Sequence, residues 1–176
     1  MSNSGQPSHN VPRALTSFIG RERDVEELSQ LIATSPLVTL VGVGGVGKTR
    51  LACEVAGRQA AAFEQGVALV ELGEVTDSSA VPSAVAAALG IGAANARDMT
   101  VSLVDFLRRK QLLLVLDNCE HVLDASAPLV RMLLRACPDL HVLTTSRQSV
   151  GLTGEIVWLV RPLEVPRTER QNPVEA

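Results

Sequence analysis

Residues 37–49, with the sequence LVTLVGVGGVGKT, decide the fold of this chain. The first five are apolar or β-branched, which favours a short buried strand. A glycine-rich turn follows at once, and residues 48–62 have the spacing of a helix. Residues 42–49 match the pattern G-x-x-x-x-G-K-[ST] in the strand–turn–helix context that this pattern requires. The stretch therefore predicts a strand, a tight loop and a helix in direct succession.

The residue types of this turn suit phosphate binding. Glycines let backbone N–H groups close around phosphate oxygens without a Cβ clash, and the helix N-terminus adds unsatisfied donors and a positive dipole. Lys48 would reach the β- and γ-phosphates, and the Thr49 hydroxyl would bind Mg²⁺. An ordinary glycine turn before a helix is the alternative interpretation. The nucleotide-contacting residues predicted for this P-loop (Walker A) segment are Gly42, Gly44, Gly45, Val46, Gly47, Lys48, Thr49 and Arg50.

A carboxylate ends the most hydrophobic predicted strand, 111–116, at Asp117. An acid at the carboxyl tip of a buried parallel strand faces the ligand crevice, where it would hold Mg²⁺. An aspartate in a surface turn is the other interpretation of this residue. Together with the glycine-rich turn, Asp117 favours a nucleotide site whose predicted metal ligands are Thr49 and Asp117.

An arginine follows the next predicted strand, in the run TTSR at 144–147. Arg147 would face the same crevice and stabilise a γ-phosphate, although a solvated surface arginine is the alternative. The N-K-x-D pattern that reads guanine is absent from the sequence, so adenine is the favoured base.

The same turn also fits G-x-G-x-x-G through Gly42, Gly44 and Gly47, a pattern typical of dinucleotide-binding folds. That site needs an acid about 20 residues further on. Glu71 is the candidate, but it lies somewhat beyond that spacing. Lys48 would have no role there. An NAD-binding Rossmann oxidoreductase therefore stays as the more distant alternative.

Strands and helices alternate through the rest of the chain, which predicts an α/β fold with a parallel sheet covered on both faces. Pro128 should kink its helix or mark its true first turn. Three segments are expected: a flexible N-terminus at 1–12, an ordered core at 13–165, and a linker or truncated C-terminus at 166–176. The predicted strands are 37–41, 67–72, 111–116, 140–144 and 156–160, and the predicted helices are 21–33, 48–62, 80–90, 100–109 and 121–136.

Composition narrows the range of functions. The net charge of −3 over 176 residues lacks the basic excess of a nucleic-acid binder, and no apolar run reaches the length of a membrane span. Cys53, Cys119 and Cys137 form no metal-like pair, and an odd number without an export signal indicates reduced, buried thiols. We therefore expect a cytoplasmic protein that binds neither nucleic acid nor membrane directly.

Four segments in this order resemble a known family: Phe18 to Glu22, GVGGVGKT, LLLVLDNCEH, and TTSR followed by Gly154-Glu155. Together they resemble the nucleotide-binding domain of STAND signal-transduction ATPases, in particular bacterial regulators of the LuxR and AfsR type, which are similar to NB-ARC and AAA ATPases. The resemblance covers about residues 13 to 165. It implies a three-layer P-loop NTPase whose five-stranded parallel sheet has the order 5-1-4-3-2. It also implies that ATP and ADP act as a switch in a multidomain regulator.

The resemblance also implies residue roles. Ile19, Gly20 and Arg21 would lie beside the adenine, although Phe18 and Ile19 would equally serve as a hydrophobic staple for the next helix.

The resemblance bears on catalysis as well. Asn118 stands where many related ATPases have a second acid, and Glu120 would substitute for it or cap a helix. The predicted catalytic residues are Asp117, Glu120 and Arg147. ATP hydrolysis should be slow or absent in isolation, with an active hydrolase as the alternative. Related regulators continue into a lid and sensor domains, so this chain is expected to act together with such domains or with a protein partner.

Overall fold

The computed structural model of the chain describes residues 10–11, 20–92 and 96–163. The helices and strands follow one another in the order that the sequence predicts. The helices are α1 (Glu22–Thr34), α2 (Lys48–Gln59), α3 (Val81–Ala88), α4 (Ala96–Leu107) and α5 (Leu123–Ala136). The strands are β1 (Leu37–Val41), β2 (Val67–Glu71), β3 (Leu112–Asp117), β4 (Leu140–Ser146) and β5 (Ile156–Leu159). Single 3-10 turns lie at Ala60–Ala62, Ser78–Ala80 and Cys119–His121.

The strands form one parallel sheet in the order β2-β3-β4-β1-β5. Counted from the other edge, this is the expected order 5-1-4-3-2, so the predicted α/β P-loop NTPase fold is confirmed. Strand β1 lies between β4 and β5, and its register with β4 sets Val41 opposite Ser146. The carboxyl ends of β1, β3 and β4 therefore lie side by side at the same end of the sheet.

Helices cover both faces of the sheet, which gives the three layers expected. Buried side chains of α1 and α2 pack on one face, and those of α3, α4 and α5 on the other. In β3, Leu112, Leu114 and Leu116 belong to the α3–α5 side, whereas Leu113 and Val115 belong to the side of α1 and α2. Because side chains alternate along a strand, Asp117 points to the side of α2.

Two residues near the N-terminus cover the outer edge of β2. The Asn10 side-chain amide donates to the carbonyl of Leu69 at 2.8 Å, and the Leu69 N–H donates to Asn10 Oδ1 at 2.7 Å. Val11 is buried in the core beside α1 and α2. An open strand edge is a site of unwanted pairing, and the Asn10 amide satisfies it at one position. Both residues belong to the segment 1–12 that is predicted to be flexible; residues 1–9 and 12 lie outside the described residues.

Some element boundaries differ from those predicted. Asn118 has the left-handed conformation, with φ 66°, and the chain then makes a 3-10 turn, so α5 begins at Leu123 and not at 121. Pro128 lies inside α5 and not in its first turn. The predicted helix 100–109 already begins at Ala96. The predicted linker 166–176 lies outside the described residues. Among the described helices, none combines the length and apolarity needed to cross a membrane.

Candidate functional site

The loop between β1 and α2 has a backbone that requires glycine at several positions. Gly45 and Gly47 have φ of 76° and 95°, in the left-handed region that L side chains disfavour. A Cβ added at Gly42 would lie 3.0 Å from the carbonyl oxygen of Val160. Conformation at two positions and space at a third therefore explain three of the four glycines in this loop. The loop ends at the N-terminus of α2, where unsatisfied N–H groups attract an anion.

Lys48 folds back over this loop. Its ammonium donates to the carbonyl oxygens of Gly42 at 2.9 Å and Val43 at 3.1 Å, and its side chain is only 8% exposed. Both partners are neutral, so they leave the positive charge of Lys48 available to an anion at the loop. The predicted phosphate-binding lysine thus lies at the centre of the predicted cradle.

Thr49 and Asp117, the two predicted metal ligands, are in direct contact. The Thr49 hydroxyl lies 2.9 and 3.0 Å from the two carboxylate oxygens of Asp117, although 68 residues separate them in the chain. Asp117 is 6% exposed at the end of β3. A hydroxyl that donates to a carboxylate keeps its lone pairs for a cation, and Mg²⁺ prefers such oxygen ligands. The donor set therefore fits Mg²⁺.

The described residues contain no cluster of three or more His, Cys, Asp or Glu side chains suited to a metal. Mg²⁺ sites in nucleotide-binding proteins commonly use one or two protein ligands and the substrate phosphates. A pair such as Thr49 and Asp117 is therefore sufficient on the protein side.

Thr145 is a site residue that the sequence reasoning passed over. Its hydroxyl lies 2.5 Å from Asp117 Oδ1 and 2.8 Å from the backbone nitrogen of Asn118. The run TTSR had suggested a role for Arg147 alone. Thr145 lies just beyond the predicted strand 140–144, but β4 extends to Ser146, so alternation along the strand puts Thr145 on the same side of the sheet as Leu143 and Asp117.

Glu120 and Arg147, both predicted to be catalytic, pair with each other. Arg147 Nε lies 3.3 Å from Glu120 Oε1, with side-chain exposures of 69% and 21%. The guanidinium also reaches over the loop, where its Nη2 would lie 3.7 Å from a Cβ at Gly44. With its amide nitrogen turned towards Glu120, Asn118 donates to both carboxylate oxygens at 3.1 and 3.2 Å. The carboxylate is thus engaged by a cation and a neutral amide beside the predicted phosphate site.

Comparison with known proteins identifies the family. The family model of the NB-ARC domain matches residues 21–155 of this chain, which include every element from the start of α1 to the loop before β5. The chain belongs to the NB-ARC family. Together with the relatives and solved structures described next, this match confirms the expected resemblance to STAND regulators of the AfsR type.

Relatives of this NB-ARC domain are much longer proteins. An uncharacterized protein of Mycobacterium tuberculosis (strain ATCC 25618/H37Rv) is 40% identical over 157 residues, which are 89% of this chain and 40% of that protein. A protein of the same strain, named as an HTH-type transcriptional regulator, is 45% identical over 77% of this chain and 15% of its own length. The regulatory protein AfsR of Streptomyces coelicolor is 29% identical over 82% of this chain and 16% of its own length. The chain therefore spans less than half of each of these relatives.

Solved structures share the fold of the NB-ARC domain at low identity. A STAND protein with a tetratricopeptide repeat sensor from Pyrococcus horikoshii has a TM-score of 0.59 at 16% identity, over 90% of this chain and 25% of that one. Cdc6p from Pyrobaculum aerophilum has a TM-score of 0.59 at 18% identity, over 89% and 47% of the two chains. Both support the fold that the sheet order defines.

Arg21 supports the NB-ARC loop from behind. Its guanidinium donates to the carbonyls of Val46 at 3.0 Å and Arg161 at 2.8 Å, and pairs with Asp24 at 3.2 Å. The side chain is 6% exposed. It therefore joins the loop to the chain after β5. The expected role of Ile19, Gly20 and Arg21 beside the adenine stays a prediction, and Ile19 lies outside the described residues.

Removing this brace should destabilise the domain. Arg21→Ala leaves the carbonyls of Val46 and Arg161 without their charged donor, so we expect the free energy of unfolding to fall by about 1–3 kcal/mol. Urea unfolding without nucleotide measures the change. Arg23→Ala is the matched control, because Arg23 is an exposed arginine two residues further on, in the first turn of α1. Equal stabilities of the two variants would contradict the brace.

The cysteines of the NB-ARC domain are not reactive groups. Burial, with a contribution from the negative charge of Asp117, raises the pKa of the Cys119 thiol to about 12, and burial raises that of Cys53 to about 11. Both thiols are neutral at physiological pH and are poor nucleophiles and metal ligands. Cys119 and Cys137 are buried as predicted, whereas Cys53 is partly exposed.

Proposed function

We propose that this NB-ARC domain binds ATP and ADP with Mg²⁺ as the switch core of a STAND-type regulator, and that it hydrolyses ATP slowly or not at all in isolation. The contact of the Thr49 hydroxyl with both Asp117 oxygens, next to Lys48 and the N-terminus of α2, carries the proposal. A cation, an N–H-rich helix end and a pair of oxygen ligands lie together there. That combination matches a phosphate chain with its metal.

Each residue then has a defined task. Lys48 exchanges the carbonyls of Gly42 and Val43 for phosphate oxygens, which are stronger partners because they are charged. Thr49 and Asp117 hold Mg²⁺, and the ion, when bound, neutralises negative charge on the phosphates.

The contacts of Glu120 favour slow hydrolysis. A general base must lie within hydrogen-bond reach of the water that it activates. Here the carboxylate is engaged by Arg147 and by the amide of Asn118, and both compete with a water molecule for its lone pairs. Arg147 pairs with Glu120 through Nε, and its Nη2 lies over the loop, so the guanidinium can contact a phosphate while it still holds Glu120.

Nucleotide titrations test the proposal. Calorimetry with ATP, ADP, GTP and NAD in the presence of Mg²⁺ should show that adenine nucleotides bind best, with micromolar or weaker affinity. Preferred binding of NAD would overturn the P-loop interpretation and favour the dinucleotide alternative. Preferred binding of GTP would overturn the choice of adenine.

We expect phosphate release from ATP to be far below the ~10 s⁻¹ typical of enzymes. The assay compares the parent, Asp117→Asn and Glu120→Gln. Brisk parent activity that Glu120→Gln abolishes would establish the hydrolase alternative. Brisk activity that survives Glu120→Gln would show that a different group activates water.

The whole regulator is a further part of the proposal. Because the relatives are several times longer than this domain, we propose that it works with a lid and sensor domains, or with a protein partner. In this proposal the domain acts in the cytoplasm and does not itself contact DNA or membrane.

A further inference from the structure

The Thr145 hydroxyl lies behind the proposed metal site. It is within hydrogen-bond distance of Asp117 Oδ1 at 2.5 Å and of the Asn118 nitrogen at 2.8 Å, and the residue is 1% exposed. Asp117 thus accepts hydroxyl hydrogen bonds from two directions, one from Thr49 on α2 and one from Thr145 on β4.

The direction of the Thr145 hydroxyl follows from its partners. A hydroxyl has one proton and two lone pairs, and an ionised carboxylate can only accept. The Asn118 N–H donates to Thr145, so the single proton of Thr145 goes to Asp117. One hydroxyl therefore fixes both the orientation of the carboxylate and the backbone of Asn118, which has the left-handed conformation with φ 66°.

The neighbouring threonine shows that position 145 is special. Thr144 is equally buried at 1% exposure, but its hydroxyl pairs with that of Thr39 at 2.7 Å. Successive side chains on a strand point to opposite faces, so Thr144 does not face Asp117. The two adjacent threonines thus have matched burial and different partners.

We propose that Thr145 is a positioning residue for the Mg²⁺ site, which holds the Asp117 carboxylate in the orientation that presents it, with Thr49, to the ion. The inference rests on the proposed binding of Mg²⁺ and ATP. Groups behind a metal ligand orient it, and their loss typically weakens metal affinity about 10–100-fold.

The test is ATP affinity with Mg²⁺ and with EDTA, measured by calorimetry for the parent and for single variants. Thr145→Val keeps the side-chain shape and removes the donor. We expect the Mg²⁺-dependent gain in affinity to be about tenfold smaller in this variant than in the parent. Its affinity in EDTA should stay within about twofold of the parent value. Thr145→Ser restores the hydroxyl and should keep the gain. Thr144→Val is the matched control and should behave as the parent.

The outcomes separate the two proposals. A parent without ATP binding, or without a gain from Mg²⁺, overturns the proposed function and this inference with it. A parent with the gain and a Thr145→Val variant with the same gain overturn the inference alone, as does an equal loss with and without Mg²⁺. Thermal unfolding shows whether each variant is folded. If Thr145→Val does not fold, Thr145→Cys replaces it, because a thiol is only a weak donor. This variant should lose most of the Mg²⁺-dependent gain in affinity. A Thr145→Cys variant that keeps the gain overturns the inference.

Discussion

Lys48→Ala should weaken the binding of ATP with Mg²⁺ by about 2–4 kcal/mol. The ammonium is mostly buried within the loop, where its interaction with phosphate is less screened than at an open surface. Its present partners are the carbonyls of Gly42 and Val43. These loop residues are partly or fully exposed, so water can replace the lysine, and stability without nucleotide should barely change.

Calorimetry and thermal unfolding of the same variant measure the two effects. Lys110→Ala is the matched control, because the chain has one other lysine and its Nζ lies 4.3 Å from the centroid of the Phe106 ring. Lys110 precedes β3, so it lies near the amino-terminal ends of the strands, whereas the loop lies at their carboxyl ends. If Lys48→Ala binds ATP as tightly as the parent does, the loop is not the phosphate cradle.

Asp117→Asn should reduce the gain in ATP affinity that Mg²⁺ provides at least about tenfold. The amide keeps the shape of the carboxylate, and its oxygen still accepts from the hydroxyls of Thr49 and Thr145. It lacks the negative charge that a buried cation ligand supplies. Binding in EDTA should therefore change little, while binding in Mg²⁺ approaches the EDTA value.

Asp139→Asn tests whether loss of one negative charge is itself the cause. Asp139 is an exposed residue just before β4, so it lies at the amino-terminal ends of the strands, away from the loop. Its variant should retain the full gain in ATP affinity that Mg²⁺ provides. A full Mg²⁺ effect in Asp117→Asn would show that the ion does not depend on this carboxylate.

The sequence determined the parts of the site that are local. The loop needs glycine where φ is positive and where Val160 approaches, and these constraints act within a few residues, so they leave a readable pattern. Asp117 was predictable for a similar reason, because a buried strand that ends in an acid places it at the edge where parallel strands end. The strand order came from the family resemblance, since five apolar strands alone permit several arrangements.

Only the tertiary structure decided how the side chains pair. The place of Arg21 beside a base stays a prediction, but the structure shows its guanidinium donating to Val46 and to Arg161, which is 140 residues away. Glu120 and Arg147 were assigned separate catalytic roles, and they form an ion pair. Thr145 orients Asp117 because the register of β3 and β4 places two strand ends side by side. Such contacts depend on crossovers, register and side-chain direction, which no short stretch of sequence encodes.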